Sequence, residues 1–293
     1  MKVRFAVAPA GGLLTRTEIL GFADALESSG FDGVWLSDLP VRAAVDPLIG
    51  LALIAGRTSR LKLGANVVPL GRNPFLLAKG LAQLDQISGG RLLLSFVPGL
   101  GEPGEREALG WQGESRGAVL EDVLAAVRAW WSGEPRADPV PSDQVPAAVV
   151  RPVQDPLEVW LGGRGPKALE RVGRIADGWL GALIDPDEAR AARVAIQQSA
   201  ERAGRVFDPE HFGISIAYAR EAPTDEQTLI LRARRQDVDP LVLLPVGASA
   251  LRSLLGRYVD AGLSKFVLRS AGTPASWSEE VEWLADAVLD MQS

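Results

Sequence analysis

The chain has 293 residues, 47% hydrophobic and 23% charged, with a net charge of −6. That is a globular composition with room for one large core, and it carries no basic stripe for nucleic acid or an anionic membrane surface. With no cysteine and one histidine, disulfides, thiol catalysis, a histidine zinc site and a Ser-His-Asp triad all fall away, and no metal site is expected.

Val3 to Ala8 is too short for a signal segment or a membrane span. It reads as a first strand, and the expected location is cytoplasmic. Thr17 to Ser29 is an amphipathic helix with Thr15 or Thr17 as cap, and Gly30 ends it. Gly33 to Ser37 is the second strand, with Asp38 at its exit. Pro47 opens a helix to about Arg57. Leu61 to Val68 is the third strand. Asn73 caps and Pro74 opens the next helix, to about Ile87. Arg91 to Val97 is the fourth strand, followed by a loop from Pro98 to Gly113 and a helix from Arg116 to Trp131.

Residues 132–156 hold six prolines and no periodic pattern. A connection of that length is usually functional or disordered. Glu158 to Leu161 is then a short strand. Gly162 and Gly163 make a tight turn, and Pro166 opens a helix to Ile175. This turn is either a plain strand–helix corner or an anion site, because free N–H groups and a positive dipole end meet there. Trp179 starts the sixth strand. Pro186 to Arg202 is a helix, Phe212 to Ala219 the seventh strand, and Thr224 to Arg235 helical. Asp239 to Val246 connects to a helix over Ala248 to Ala261. Lys265 to Arg269 is the eighth strand, and a helix from Ser276 to Met291 closes the chain.

Eight short apolar strands alternate with helices. This pattern predicts an α/β fold with one domain over 1–293, a (β/α)8 TIM barrel with an irregular insertion near 132–157. An open doubly wound sheet is the alternative. In a barrel the strand carboxyl ends carry the chemistry. Asp38, Asn66 to Pro69, Pro98 to Glu102, Gly162 to Arg164, Gly181 to Asp185, Arg220 and Arg269 fall there. Asp38 is an acid, base or hydrogen-bond acceptor, or else a loop cap. Arg269 either snorkels or pairs with a phosphate. Asp85 and Arg91 fall at the opposite end as a structural pair, and His211 is structural there too. Trp35, Trp160 and Trp179 read as packing residues.

Several stretches together carry a family resemblance. They are Gly30-Phe-Asp-Gly-Val-Trp-Leu-Ser-Asp38, Arg60 to Lys79, Leu84-Asp-Gln-Ile-Ser-Gly-Gly-Arg-Leu92, Glu105-Arg-Glu-Ala-Leu-Gly110, Trp160-Leu-Gly-Gly163, Ala176-Asp-Gly-Trp179 and Ala261 to Arg269. In this order they resemble the luciferase-like flavin and deazaflavin oxidoreductases of the bacterial-luciferase superfamily. The last stretch resembles an actinobacterial subgroup assigned to coenzyme F420. The resemblance implies F420 or FMN at the barrel's carboxyl end. The ring would lie over Asn66 and Val67, whose peptide would be cis, and the phosphate at Gly162, Gly163 and Arg164 with Arg269 as supporting charge. Asp38 and Glu102 are the candidate catalytic acids. Arg72, Arg164, Arg220 and Arg269 would meet an acidic cofactor tail. Leu39 stands where many deazaflavin members have histidine, and Ser95-Phe-Val-Pro-Gly99 replaces a Gly-x-Gly-x-Gly run. The expected activity is F420-linked hydride transfer with a small organic substrate. The alternatives are an FMN-dependent monooxygenase fed by a flavin reductase and a cofactor-binding barrel without turnover. A homodimer is a further expectation.

Overall fold

The computed structural model describes residues 1–11, 13, 15–111, 115–133 and 151–293. Eight parallel strands close on themselves in sequence order. They are β1 (Arg4–Ala8), β2 (Gly33–Ser37), β3 (Lys62–Val67), β4 (Leu92–Phe96), β5 (Val159–Gly162), β6 (Gly178–Ala182), β7 (Phe212–Tyr218) and β8 (Lys265–Ser270). The closing pair aligns Arg4 with Lys265 and Ala8 with Arg269. The fold is thus the (β/α)8 barrel, not the open sheet. Most of the expected insertion, 134–150, lies outside the described residues.

The helices are α1 (Arg16–Ser29), α2 (Pro47–Ala55), α3 (Pro74–Ser88), α4 (Glu105–Ala108), α5 (Arg116–Ser132), α6 (Pro166–Ile175), α7 (Pro186–Arg202), α8 (Asp225–Arg234), α9 (Pro240–Leu243), α10 (Gly247–Asp260) and α11 (Trp277–Val288). Their starts follow local chemistry. Thr15 and Glu18 form a capping box on α1, and Asn73 caps α3 ahead of Pro74. Gly30 and Gly89 end α1 and α3 in the left-handed region. Short α4 and α9 lie where the sequence reads as loop. Four residues each are too few to show a helical period.

Alternation divides each strand between two cores. Phe5 and Val7, Val34 and Leu36, and Leu63, Ala65 and Val67 face the helical shell and join the main core. Ala6, Ala8, Trp35, Leu180, Val267 and Trp160 pack inside the barrel. Gly64 makes room for Trp35, since a Cβ there would lie 2.0 Å from the Trp35 ring. The tryptophans make the lumen a packed plug rather than a pore. Among the described residues no helix is long and apolar enough to cross a membrane.

Candidate active site

One row of inward residues crosses the carboxyl ends of β2, β3 and β4. Ser37 aligns with Asn66, and Asn66 with Ser95. Asn66 Nδ2 donates to Ser37 Oγ at 3.0 Å. Asn66 Oδ1, Ser95 Oγ and Trp35 Nε1 are buried with no hydrogen-bond partner. Arg269, inward on β8, donates from Nη2 to Ser215 Oγ at 3.1 Å, while its Nε is buried and unpartnered. Burial pushes the Arg269 pKa down, and the charge of Arg234 adds to the effect. An unpaired buried polar atom costs about 1–3 kcal/mol. Four such atoms on the inner wall of one barrel point to a polar ligand. Two other orphans, Trp111 Nε1 and Arg193 Nε, lie outside the lumen; Arg193 sits over the Phe212 ring at 5.2 Å.

The β5 exit supplies a second feature. Gly163 has φ +115°, open only to glycine without strain, and a Cβ there would lie 2.6 Å from Ala168 Cβ. Its carbonyl accepts a bond from Trp179 Nε1 at 2.9 Å, so the turn is pinned from β6. Gly165 caps α6 with no side-chain bond to the first-turn N–H groups. A cleft of about 770 Å³ opens here, lined by Pro98, Arg116, Gly162, Gly163, Lys167 and Arg171. Arg171 is held by Glu121 at 2.8 Å. The helix end and Lys167 remain for an anion. A second cleft of about 540 Å³ lies on the flank between α6 and α7, lined by residues such as Leu169, Glu170 and Ala192; none of the residues with orphaned lumen atoms lines either cleft.

A family profile for luciferase-like monooxygenases matches residues 3–238. The chain belongs to that family. It is an enzyme family, and this luciferase-like chain is one of its members. The 5,10-methylenetetrahydromethanopterin reductase of Methanolobus tindarius is 30% identical over 292 residues, covering 92% of this chain and 87% of the relative. An F420-dependent secondary alcohol dehydrogenase, solved with an F420-acetone adduct, superposes with TM-score 0.78 at 16% identity over 100% of both chains. The coenzyme F420-dependent tetrahydromethanopterin reductase of Methanopyrus kandleri gives TM-score 0.77 at 19% identity, again over 100% of both chains. At those identities the two structures speak for the fold.

The structure places the sequence-predicted residues unequally. Asn66, Gly162, Gly163 and Arg269 face the lumen or its rim. Val67 does not; its side chain is buried in the shell core, because a strand turns every second residue outward. The Asn66–Val67 peptide is trans, since the single cis bond among the described residues is Asp155–Pro156. Both carbonyls carry ordinary bonds, Asn66 to Asp38 N and Val67 to Val97 N. Arg164 is exposed and donates to the Arg234 carbonyl at 3.3 Å.

Asp38 is 9% exposed. Its Oδ2 accepts from Val68 N at 3.1 Å and from Arg72 at 2.7 Å. Arg72 also reaches Asp46 at 3.1 Å. Burial pushes the Asp38 pKa above its ordinary value, with Arg72 pulling the other way. The group fixes the β3–α3 loop. Glu102 pairs with Arg42 at the rim, and that hydrogen bond holds its carboxyl below the usual range. It is therefore a carboxylate at neutral pH and a poor proton donor. Arg220 is spent on Glu280 at 3.3 Å. Of the four arginines expected to meet an acidic tail, Arg72 and Arg220 are thus already paired.

At the opposite end, Asp85 and Arg91 have separate partners. Asp85 accepts from Val153 N, Gln154 N and Gln154 Nε2, while Arg91 donates to Ser88 O, Thr58 Oγ1, Leu61 O and Ala55 O. His211 is structural, with Nδ1 at 2.9 Å from Asp177 O. Ser95, Ser215 and Trp179 are candidate site residues the sequence did not single out for function. For the two serines, inward register beside Asn66 and Arg269 is the signal that finds them.

Proposed function

We propose that the chain is an F420-dependent oxidoreductase acting on a small organic substrate. The observation that carries this reading is the pairing of a polar lumen mouth with an open glycine turn at the β5 exit. A deazaflavin has a ring edged with amide and carbonyl groups and a phosphate on its side chain, and the residues present fit both. Asn66 and Ser95 would take hydrogen bonds from or to the ring edge. Gly162, Gly163, Lys167 and the start of α6 would hold the phosphate, with Arg164 beside it. When bound, F420 supplies two-electron hydride transfer without oxygen chemistry. The protein's own part is to orient and to exclude water. Trp35 and Trp160 form a dry floor, Trp179 fixes the turn, and the Asp38–Arg72–Asp46 network holds the loop after Asn66. Asp38 is then a positioning residue rather than the proton donor. A putative coenzyme F420-dependent oxidoreductase of Mycobacterium tuberculosis, 29% identical over 69% of this chain, supports F420 over FMN.

The test is titration of the purified protein with F420 and with FMN. Tighter F420 binding is expected, and Lys167→Ala should weaken it by about tenfold, or about 1.4 kcal/mol, through the lost phosphate charge. Tighter FMN binding would put the monooxygenase reading first. An unchanged constant in the variant would remove the phosphate from this turn.

A further inference from the structure

Arg269 stands apart from three other arginines near the carboxyl end. Arg72 has Asp38 and Asp46, Arg220 has Glu280, and Arg235 has Glu188 and Asp237. Among the described residues no carboxylate lies within ion-pair distance of Arg269. Its neighbours in register are Ala8 on β1 and Ala217 on β7, which offer no polar side chain. Its one side-chain partner is the neutral hydroxyl of Ser215. A half-buried guanidinium with its Nε buried and no counter-charge carries a desolvation cost that an arriving anion would relieve.

We propose that the β7–β8 side of the lumen mouth is a substrate subsite for an oxyanion, a carboxylate or a phosphate monoester, held by Arg269 and Ser215. The reading rests on the barrel mouth being the active site proposed above, and it adds the substrate class. Nε–H and one Nη2–H of a guanidinium lie along the same edge and suit two oxygens side by side. Nε is unpartnered, and Nη2 gives only one of its two hydrogens to Ser215. The Ser215 oxygen accepts from Arg269, so its own proton remains to be donated. Three donor hydrogens on this side of the lumen therefore stay uncommitted. The glycine turn that suits the cofactor phosphate is on β5, with β6 and β7 between it and Arg269. Two anion sites on separate strands suit two molecules, and the sequence-based assignment of Arg269 to the cofactor gives way to the substrate.

The experiment uses cofactor-free protein and three probes built on one phenyl ring: benzoate, phenyl phosphate and neutral benzamide. Binding is followed by calorimetry on the wild type, Arg269→Gln, Arg269→Lys and Lys167→Ala. One or both anions should bind the wild type, and benzamide should not. Benzoate preferred marks a carboxylate substrate; phenyl phosphate preferred marks a phosphate monoester. Arg269→Gln should weaken the preferred probe by about tenfold or more, Arg269→Lys by less, and Lys167→Ala hardly at all. Arg269→Gln should stay folded with an equal or higher Tm, since it removes a half-buried charge that has no counter-charge. The same variant's F420 dissociation constant should stay within about threefold of wild type. Equal binding of the three probes, no binding of either anion, or an Arg269→Gln defect confined to F420 would each overturn the subsite. The F420 titration of wild-type protein fails separately, and only if the cofactor reading itself is wrong.

Discussion

The two ends of the barrel treat polar groups in opposite ways. At the amino end Asp85, Arg91 and Asp177 all have their polar atoms engaged. Asp85 is fully buried and accepts three hydrogen bonds, one at 2.7 Å from Gln154 Nε2. Arg91 donates to four acceptors. Asp177 accepts from Val159 N at 2.8 Å and pairs with Arg128 at 2.6 Å. At the carboxyl end Asn66, Ser95 and Arg269 each keep a buried polar atom without a partner. Saturation locks the strands to the helices; incompleteness is what a ligand can satisfy. One end contributes stability, and the other gives some of it up for binding.

The strongest way to break this contrast is at Asp85. Replacing it with Ala strands three donors, and unfolding stability should fall by about 3 kcal/mol or more. The urea midpoint measures this, and F420 affinity of the folded protein should be unchanged. A loss below about 1 kcal/mol would mean the amino end is not the saturated anchor.

Ser95→Ala should do the reverse. It removes an orphan, so stability should hold or rise by up to about 1 kcal/mol, while F420 affinity falls several-fold, about 1 kcal/mol. Stability and affinity dropping together would show Ser95 to be structural.

Asp38 sharpens the comparison through pH. Burial raises its pKa in the folded state, so the native form binds more protons than the unfolded one. Its stabilising share is full below the ordinary carboxylate value and is lost as pH rises through the raised folded value. Stability of the wild type should therefore carry a falling component above about pH 4. Asp38→Asn should flatten it, read as denaturant midpoint against pH. An unchanged slope would mean the carboxyl titrates as an ordinary surface group.

The smallest effect belongs to the rim pair Arg42–Glu102. Glu102→Gln should cost less than about 1 kcal/mol, and less again at high salt. Turnover should stay within a few-fold of wild type. A fall of about a hundredfold in kcat would restore Glu102 as the catalytic acid.

What the sequence determined by itself was local in origin. Strand–helix alternation, caps at Thr15 and Asn73, and stops at Gly30 and Gly89 depend on residues a few positions apart, and they were enough for the barrel. The Gly162–Gly163 turn and the opposite sides taken by Asn66 and Val67 belong to the same range, since adjacent strand residues face opposite ways. Tertiary structure alone decided which charges remain free. Asp85 meets Gln154 across 69 positions rather than Arg91, Arg72 takes Asp38 across 34, and Arg220 takes Glu280 across 60. Four arginines looked alike as residues near strand ends. Closure of the barrel gave carboxylates to Arg72 and Arg220, left Arg164 in solvent, and set Arg269 between two alanines with only a hydroxyl for company. Charge pairing acts through space, and the distance that matters is fixed only when the strands close.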